Sequence, residues 1–228
     1  MQQFNTRALQ QADTHIIYYT DPLCCWSWAF EKEWQKLRSV FEHAITWQYC
    51  MGGLLPAWNN YYDAENSISK PIQMGPMWMH AAQLTGVVIR HDLWAKDPPA
   101  SSYPACIAVK SAALQSPAAE ERYLLLLRKA CMVDGRNIAK PDVLLEVAHK
   151  MKIDKGFDFD VKKFKQHLLG NEGMEAFKKD LQQVKYRGIN RFPTLLINNN
   201  AGNARLISGY QTFETITQVL QDMAGVHC

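Results

Sequence analysis

The stretch that most constrains the fold is an apolar run that ends in a turn and leads directly into a helix pattern. Residues 15–20, HIIYYT, are apolar, aromatic and β-branched, which is typical of a buried strand, and Asp21-Pro22 ends the run. From Trp26 to Phe41, large apolar residues recur at three- and four-residue spacing, which predicts an amphipathic helix. Residues 44–55 then alternate and close in two glycines, which indicates a second strand. The order strand, helix, strand predicts a right-handed βαβ unit.

The middle of the chain has a different character, because it contains helix patterns and no convincing strand from about residue 65 to 170. Pro104, Pro117 and Pro141 each stand near the start of one pattern, a position that proline favours. After these, the sequence predicts a helix over 174–188, two apolar strands around the turn cluster NNNAGN, and a last helix, in the ranges 192–197, 204–209 and 212–223. The chain therefore returns to strands only near its end.

Without the helical middle, the predicted order of elements is that of thioredoxin. We therefore predict an α/β protein with a thioredoxin fold and a large all-helical insertion. The thioredoxin-fold domain is discontinuous and comprises residues 1–64 and 172–228, and the helical insertion domain comprises residues 65–171.

Composition and charge exclude several classes of function. The 25 Lys and Arg against 22 Asp and Glu are scattered along helix patterns, which disfavours nucleic acid as a partner. No apolar stretch reaches the roughly 18 residues of a membrane span, and no secretory leader pattern opens the chain, so we expect a cytoplasmic protein without a membrane partner. The six cysteines do not form a dense disulfide framework, and neither they nor the histidines show metal-ligand spacing, so no metal site is expected.

Two short motifs and the helical middle together resemble the DsbA-type branch of the thioredoxin superfamily, most closely its cytoplasmic FrnE-like dithiol isomerases. The motifs are DPLCCWS at 21–27 and RFPTLLI at 191–197. The resemblance in element order spans nearly the whole chain. It implies that Cys24 is the catalytic nucleophile and that Phe192-Pro193-Thr194 forms the cis-proline loop of the family. The chain departs from the family at Ser27, which stands where the second active-site cysteine is expected.

The position of Cys24 favours thiol chemistry. At the first turn of a helix, unpaired backbone N–H groups and the helix dipole stabilise a thiolate, so we expect the pKa of Cys24 to lie below its usual value. A thiolate attacks a disulfide and forms a mixed disulfide, which Ser27 cannot resolve but can stabilise through its hydroxyl. No cofactor is then required, and glutathione is the expected co-substrate that resolves the bond.

Further residues are predicted to contact the substrate. Cys25 is expected to pack beside the nucleophile and Trp26, because a bond between adjacent cysteines would distort the peptide between them. A cis bond before Pro193 would expose the backbone of Phe192 beside Cys24. Arg191 either holds a glutathione carboxylate or is a solvated surface residue. The segment MGPMWMH at 74–80 is either core or a wall of the substrate groove.

Three functions are compatible with these residues. The first is a monothiol thiol–disulfide oxidoreductase or isomerase that acts through a mixed disulfide at Cys24, with a disulfide-containing protein or glutathione as its partner. The second is a glutathione-dependent transferase or isomerase, since the kappa-class relatives also lack a thiol pair, although they carry their serine in the first active-site position. The third is a non-catalytic adaptor in which the thioredoxin fold binds a protein.

Overall fold

Four strands in the described residues form one mixed sheet. The computed structural model describes residues 14–152, 157–200 and 202–225. The strands are β1 (Thr14–Thr20), β2 (Ile45–Met51), β3 (Thr194–Asn199) and β4 (Ala204–Ser208), in the spatial order β2-β1-β3-β4. β1 and β2 are parallel, and β3 is antiparallel to both β1 and β4. This arrangement confirms the predicted β-α-β start and the predicted hairpin.

Two helices connect β1 and β2, where the sequence pattern predicts one. They are α1 (Cys25–Ala29) and α2 (Glu31–Val40), and the break falls at Phe30, which has φ −72° and ψ −15°. The apolar face continues across the break, since Phe30 and Trp34 are both buried. The predicted position of the helix and its buried face are confirmed, but the prediction of one continuous helix is wrong. The sequence gives no sign of the break, because Phe30 adopts its turn geometry without a neighbouring glycine or proline.

After a largely irregular stretch with two short 3₁₀ helices, Trp58–Asn60 and Pro71–Gln73, seven α-helices occupy most of the described chain between β2 and β3. They are α3 (Met74–Thr85), α4 (Leu93–Lys96), α5 (Tyr103–Ala113), α6 (Pro117–Met132), α7 (Pro141–Lys150), α8 (Val161–Leu169) and α9 (Glu172–Tyr186). The three predicted starts at proline are confirmed by α5, α6 and α7. α8 has no counterpart in the sequence prediction, although its N-cap, Asp160, accepts the amides of Lys162 and Lys163. The predicted domain boundaries at 64/65 and 171/172 stay predictions.

The last helix packs on the outside of the β1–β2 connection. α10 (Phe213–Met223) begins after Thr212, whose hydroxyl accepts the amide of Thr215. Phe213 stacks on Phe41 at the end of α2, with ring centroids 6.3 Å apart. Within the described ranges, no helix is both long and apolar enough to cross a membrane.

A buried arginine joins the helical part to the sheet. Arg128 in α6 is fully buried and donates from Nη1 to Oε2 of Glu31 in α2 at 2.7 Å. It also donates to the hydroxyl of Thr20 at the end of β1, and its guanidinium lies 5.8 Å from the ring of Tyr18. A buried charge is tolerated only when it is paired, so this contact fixes α6 against the elements on both sides of the cysteine turn.

Replacing Arg128 with methionine should lower the free energy of unfolding by about 3–5 kcal/mol, because Glu31 would remain buried without its partner. Adding Glu31→Gln should recover part of that loss. Urea unfolding followed by tryptophan fluorescence measures both.

The control is Arg136→Met, which breaks the ion pair with Glu146, where the two side chains are 42% and 43% exposed. This change should cost less than about 1 kcal/mol. Equal losses in Arg128→Met and Arg136→Met would contradict the role assigned to the buried pair.

Candidate functional site

Cys24 lies between the start of α1 and the loop before β3. Its sulfur accepts the backbone amide of Ser27 at 3.4 Å, and its thiol donates to the carbonyl oxygen of Phe192 at 3.3 Å. The Phe192–Pro193 peptide bond is cis, as predicted. Because β3 runs antiparallel to β1, the start of β3 and the end of β1 lie at the same end of these two neighbouring strands. The structure therefore brings together the two motifs that the sequence places at a common site.

The electrostatics of Cys24 differ from the prediction. The side chain is 5% exposed, and burial raises the pKa of the Cys24 thiol above its usual value, while Ser27 lowers it only in part. The expected low pKa is therefore wrong, because desolvation by burial is the largest influence on the thiol and the nearby Asp21 carboxylate adds to it. The Ser27 hydroxyl lowers the pKa of the Cys24 thiol. It is buried, and in the described chain its oxygen has no partner that meets the geometric criteria of a hydrogen bond.

The neighbours of Cys24 in α1 face different ways. Cys25 is 1% exposed and belongs to the main apolar core, and burial raises its pKa well above the usual value. Trp26 is half-buried and makes an edge contact with His80 and a tilted contact with Tyr210, at centroid distances of 6.0 and 6.4 Å. Within α1, Trp26 thus presents its ring near the surface, whereas Cys25 is enclosed.

An open groove with a volume of about 890 Å³ surrounds this turn. Its lining includes six of the residues singled out above, namely Cys24, Cys25, Trp26, Met77, Arg191 and Phe192. The segment 74–80 serves both alternatives that the sequence leaves open, since Met77 lines the groove whereas Met74 and Trp78 are fully buried.

Three of the predicted site residues lie outside the groove lining: Ser27, Pro193 and Thr194. The hydroxyl of Thr194 is turned to the loop itself and donates to the carbonyl oxygen of Arg191 at 2.8 Å. Thr194 therefore supports the loop, and its role in substrate binding stays a prediction.

Asp21 organises the site, although the sequence pattern marks it only as a turn residue. Its buried carboxylate accepts the amides of Leu23 and Leu54 at 2.8 and 2.7 Å, the hydroxyl of Ser102 at 2.9 Å and the thiol of Cys106 at 3.3 Å. Burial raises the pKa of Asp21, and these four donors oppose the rise. One side chain thus ties the cysteine turn to the end of β2 and to α5.

A glycine makes room for the cis-proline loop. A Cβ atom at Gly52, just after β2, would lie 2.0 Å from Cζ of Phe192. Any side chain at this position would force the Phe192 ring to shift, so the ring packs directly on the glycine backbone beside the groove. The sequence pattern indicates Gly52 as the end of a strand and gives no sign of this contact.

The remaining described cysteines are buried and lie outside the groove lining. Cys50, Cys106 and Cys131 are buried free thiols, like Cys24 and Cys25. No group of three His, Cys, Asp or Glu side chains in the described ranges could hold a metal ion. Cys228 lies outside the described residues.

Comparisons with known proteins point to one fold. The thioredoxin family model matches residues 18–218. The chain is 29% identical over 212 residues to the ClpXP adapter protein SpxH of Halalkalibacterium halodurans, a match that covers 92% of this chain and 67% of SpxH. A structure of a candidate protein disulfide isomerase from Nitrosomonas europaea aligns with a TM-score of 0.77 and 20% identity, over 95% of this chain and all of that one.

The cytosolic disulfide reductase DsbM of Pseudomonas aeruginosa aligns with a TM-score of 0.70 and 20% identity, over 93% of this chain and 100% of DsbM. A structure of DsbM with GSH aligns with a TM-score of 0.64 and 20% identity, over 92% of this chain and 96% of that one. These likenesses confirm the expected DsbA-like fold, a thioredoxin fold with a large helical insertion.

The raised pKa of Cys24 predicts slow alkylation at neutral pH. Since a smaller fraction of the thiol is ionised, Cys24 should react with iodoacetamide more slowly than free glutathione at pH 7. Its rate should continue to rise at pH values where that of glutathione has levelled off. Peptide mass mapping in a Cys228→Ser background measures the rate.

Ser27→Ala provides the comparison, because it removes the hydroxyl that favours the thiolate and should shift the profile of Cys24 to still higher pH. A midpoint for wild-type Cys24 below that of glutathione would contradict this electrostatic account.

Proposed function

Because this chain belongs to the thioredoxin family, we propose that it exchanges disulfides through a single thiol, that of Cys24. The observation that supports this most directly is the position of the sulfur. It lines a groove of about 890 Å³ and lies between the Ser27 amide and the Phe192 carbonyl. A disulfide bound in the groove would lie beside Cys24, whereas the other described cysteines except Cys25 do not line the groove.

The proposed reaction has two exchange steps. The Cys24 thiol loses its proton to solvent, and its sulfur attacks one sulfur of a substrate disulfide. The substrate S–S bond breaks, one half leaves as a thiolate, and the other half stays bound in a mixed disulfide with Cys24. The thiolate of glutathione then attacks the bound substrate sulfur, which releases Cys24 as a thiolate and forms a glutathione–substrate disulfide.

Ser27 and the raised pKa of Cys24 have different effects on these two steps. The Ser27 amide stabilises the Cys24 thiolate in both steps, and Ser27 supplies no second sulfur. A thiol with a raised pKa is a stronger nucleophile once ionised and a poorer leaving group. The mixed disulfide with Cys24 should therefore persist until an external thiol arrives. This fits a monothiol enzyme with glutathione as co-substrate, and DsbM, a disulfide reductase with a similar fold, has been solved with GSH.

The adaptor function is the second candidate. It is favoured by the relative at 29% identity, which is named a ClpXP adapter protein. Exposed aromatic surface at the groove, including Tyr62 at 68% exposure, would suit a protein partner. The glutathione transferase alternative has less support, since the Ser27 hydroxyl is buried and does not line the groove.

The test uses turnover of a peptide–glutathione mixed disulfide with glutathione as reductant. Wild type should catalyse exchange, Cys24→Ser should reduce the rate to that without protein, and Cys25→Ser should retain at least about half of it, because Cys25 is enclosed in the core. Ser27→Cys should add a resolving thiol and reduce insulin with dithiothreitol faster than wild type does, since thioredoxin-type geometry allows a bond between positions 24 and 27.

Two outcomes would change the proposal. If wild type gives no more turnover than Cys24→Ser, the chain does not exchange disulfides and the adaptor function is favoured. If Cys25→Ser abolishes activity as completely as Cys24→Ser, the adjacent cysteine resolves the mixed disulfide and the monothiol mechanism is wrong.

A further inference from the structure

One basic residue stands among the described residues that line the groove. Arg191 lies two positions before the cis proline, and the other charged lining residues, Asp63 and Glu65, are acidic. A single guanidinium in a groove is a strong point of attraction for a carboxylate, because it can donate two parallel hydrogen bonds to it.

The fold fixes the base of this side chain. The carbonyl oxygen of Arg191 accepts the buried hydroxyl of Thr194 at 2.8 Å. A Cβ atom at Gly209 would lie 4.0 Å from Cδ of Arg191, so the Arg191 stem runs beside that glycine on the groove wall. The backbone of Arg191 is therefore anchored while its side chain remains accessible, at 53% exposure.

The partner of Arg191 is another residue of the groove lining. Glu65 forms an ion pair with Arg191 from 126 positions away in the sequence, and its side chain is 68% exposed. The loop that carries Glu65 is ordered by its own contacts, since Asp63 accepts the amides of Glu65 and Asn66 at 3.0 and 3.1 Å. The loop thus has hydrogen bonds of its own besides the ion pair, and both members of the pair line the groove.

We propose that Arg191 binds a ligand carboxylate in the groove. Glu65 pairs with the Arg191 guanidinium until that carboxylate displaces it. The ligand class is a small thiol peptide that carries carboxylates, such as glutathione. An exposed ion pair is weak, so a ligand carboxylate that is also held by the groove can replace Glu65. Glu65 then sets the affinity for anionic ligands and discriminates against weakly held ones. The inference rests on the proposed function only for its choice of a thiol ligand.

The test measures equilibrium binding of S-methylglutathione, which cannot exchange with Cys24. By calorimetry, Glu65→Gln should bind it about two- to five-fold more tightly than wild type, the range that loss of an exposed ion pair allows. Arg191→Gln should bind it about ten-fold more weakly, because a charge-assisted hydrogen bond is lost. The double variant should behave like Arg191→Gln alone, since Glu65 acts only through Arg191.

Two matched controls isolate the carboxylate. The diethyl ester of S-methylglutathione has the same skeleton with masked carboxylates, and its binding should not respond to Glu65→Gln. Glu146→Gln removes a carboxylate from an exposed ion pair whose residues are absent from the groove lining, and it should leave binding of the acid unchanged. Weaker or unchanged binding of S-methylglutathione to Glu65→Gln, or no binding to any variant, would overturn the inference. Loss of disulfide exchange with this binding pattern intact would instead contradict the proposed function alone.

Discussion

The buried carboxylate of Asp21 is the contact on which the geometry of the site depends. It holds the cysteine turn through Leu23, the chain after β2 through Leu54, and α5 through Ser102 and Cys106. The same charge opposes ionisation of Cys24, because a negative group nearby raises the pKa of the thiol. The interaction that orders the turn therefore also makes the thiol harder to ionise.

A buried cation partly offsets this effect. Arg128 lowers the pKa of Cys24 from beneath the turn, and it is held by Glu31 and Thr20. Ser102, which donates to Asp21, and Arg128, which lowers the pKa of Cys24, both come from the helical part. The cysteine turn thus lies where the helical part meets the sheet, and changes in either part should alter the pKa of Cys24.

Local patterns predict the strands, the hairpin and the contact between Cys24 and Phe192. Hydrophobic periodicity and turn residues are properties of neighbouring residues, and connection rules then limit the topology. The break at Phe30 leaves no such mark. The partners of Asp21 and the Arg191–Glu65 pair join positions up to 126 residues apart, so only the folded chain shows them. The predicted low pKa of Cys24 is wrong for the same reason, since burial, the largest cause of the raised pKa, is a property of the tertiary structure.

The central claim, that Cys24 is the reacting thiol, is tested most directly by incubating the Cys228→Ser protein with glutathione disulfide at mildly alkaline pH. Intact-mass analysis and peptide mapping should show one glutathionyl group, bound to Cys24 and removed by added glutathione. An unmodified Cys24 after prolonged incubation, in a sample where denaturation makes the same thiol reactive, would contradict the account.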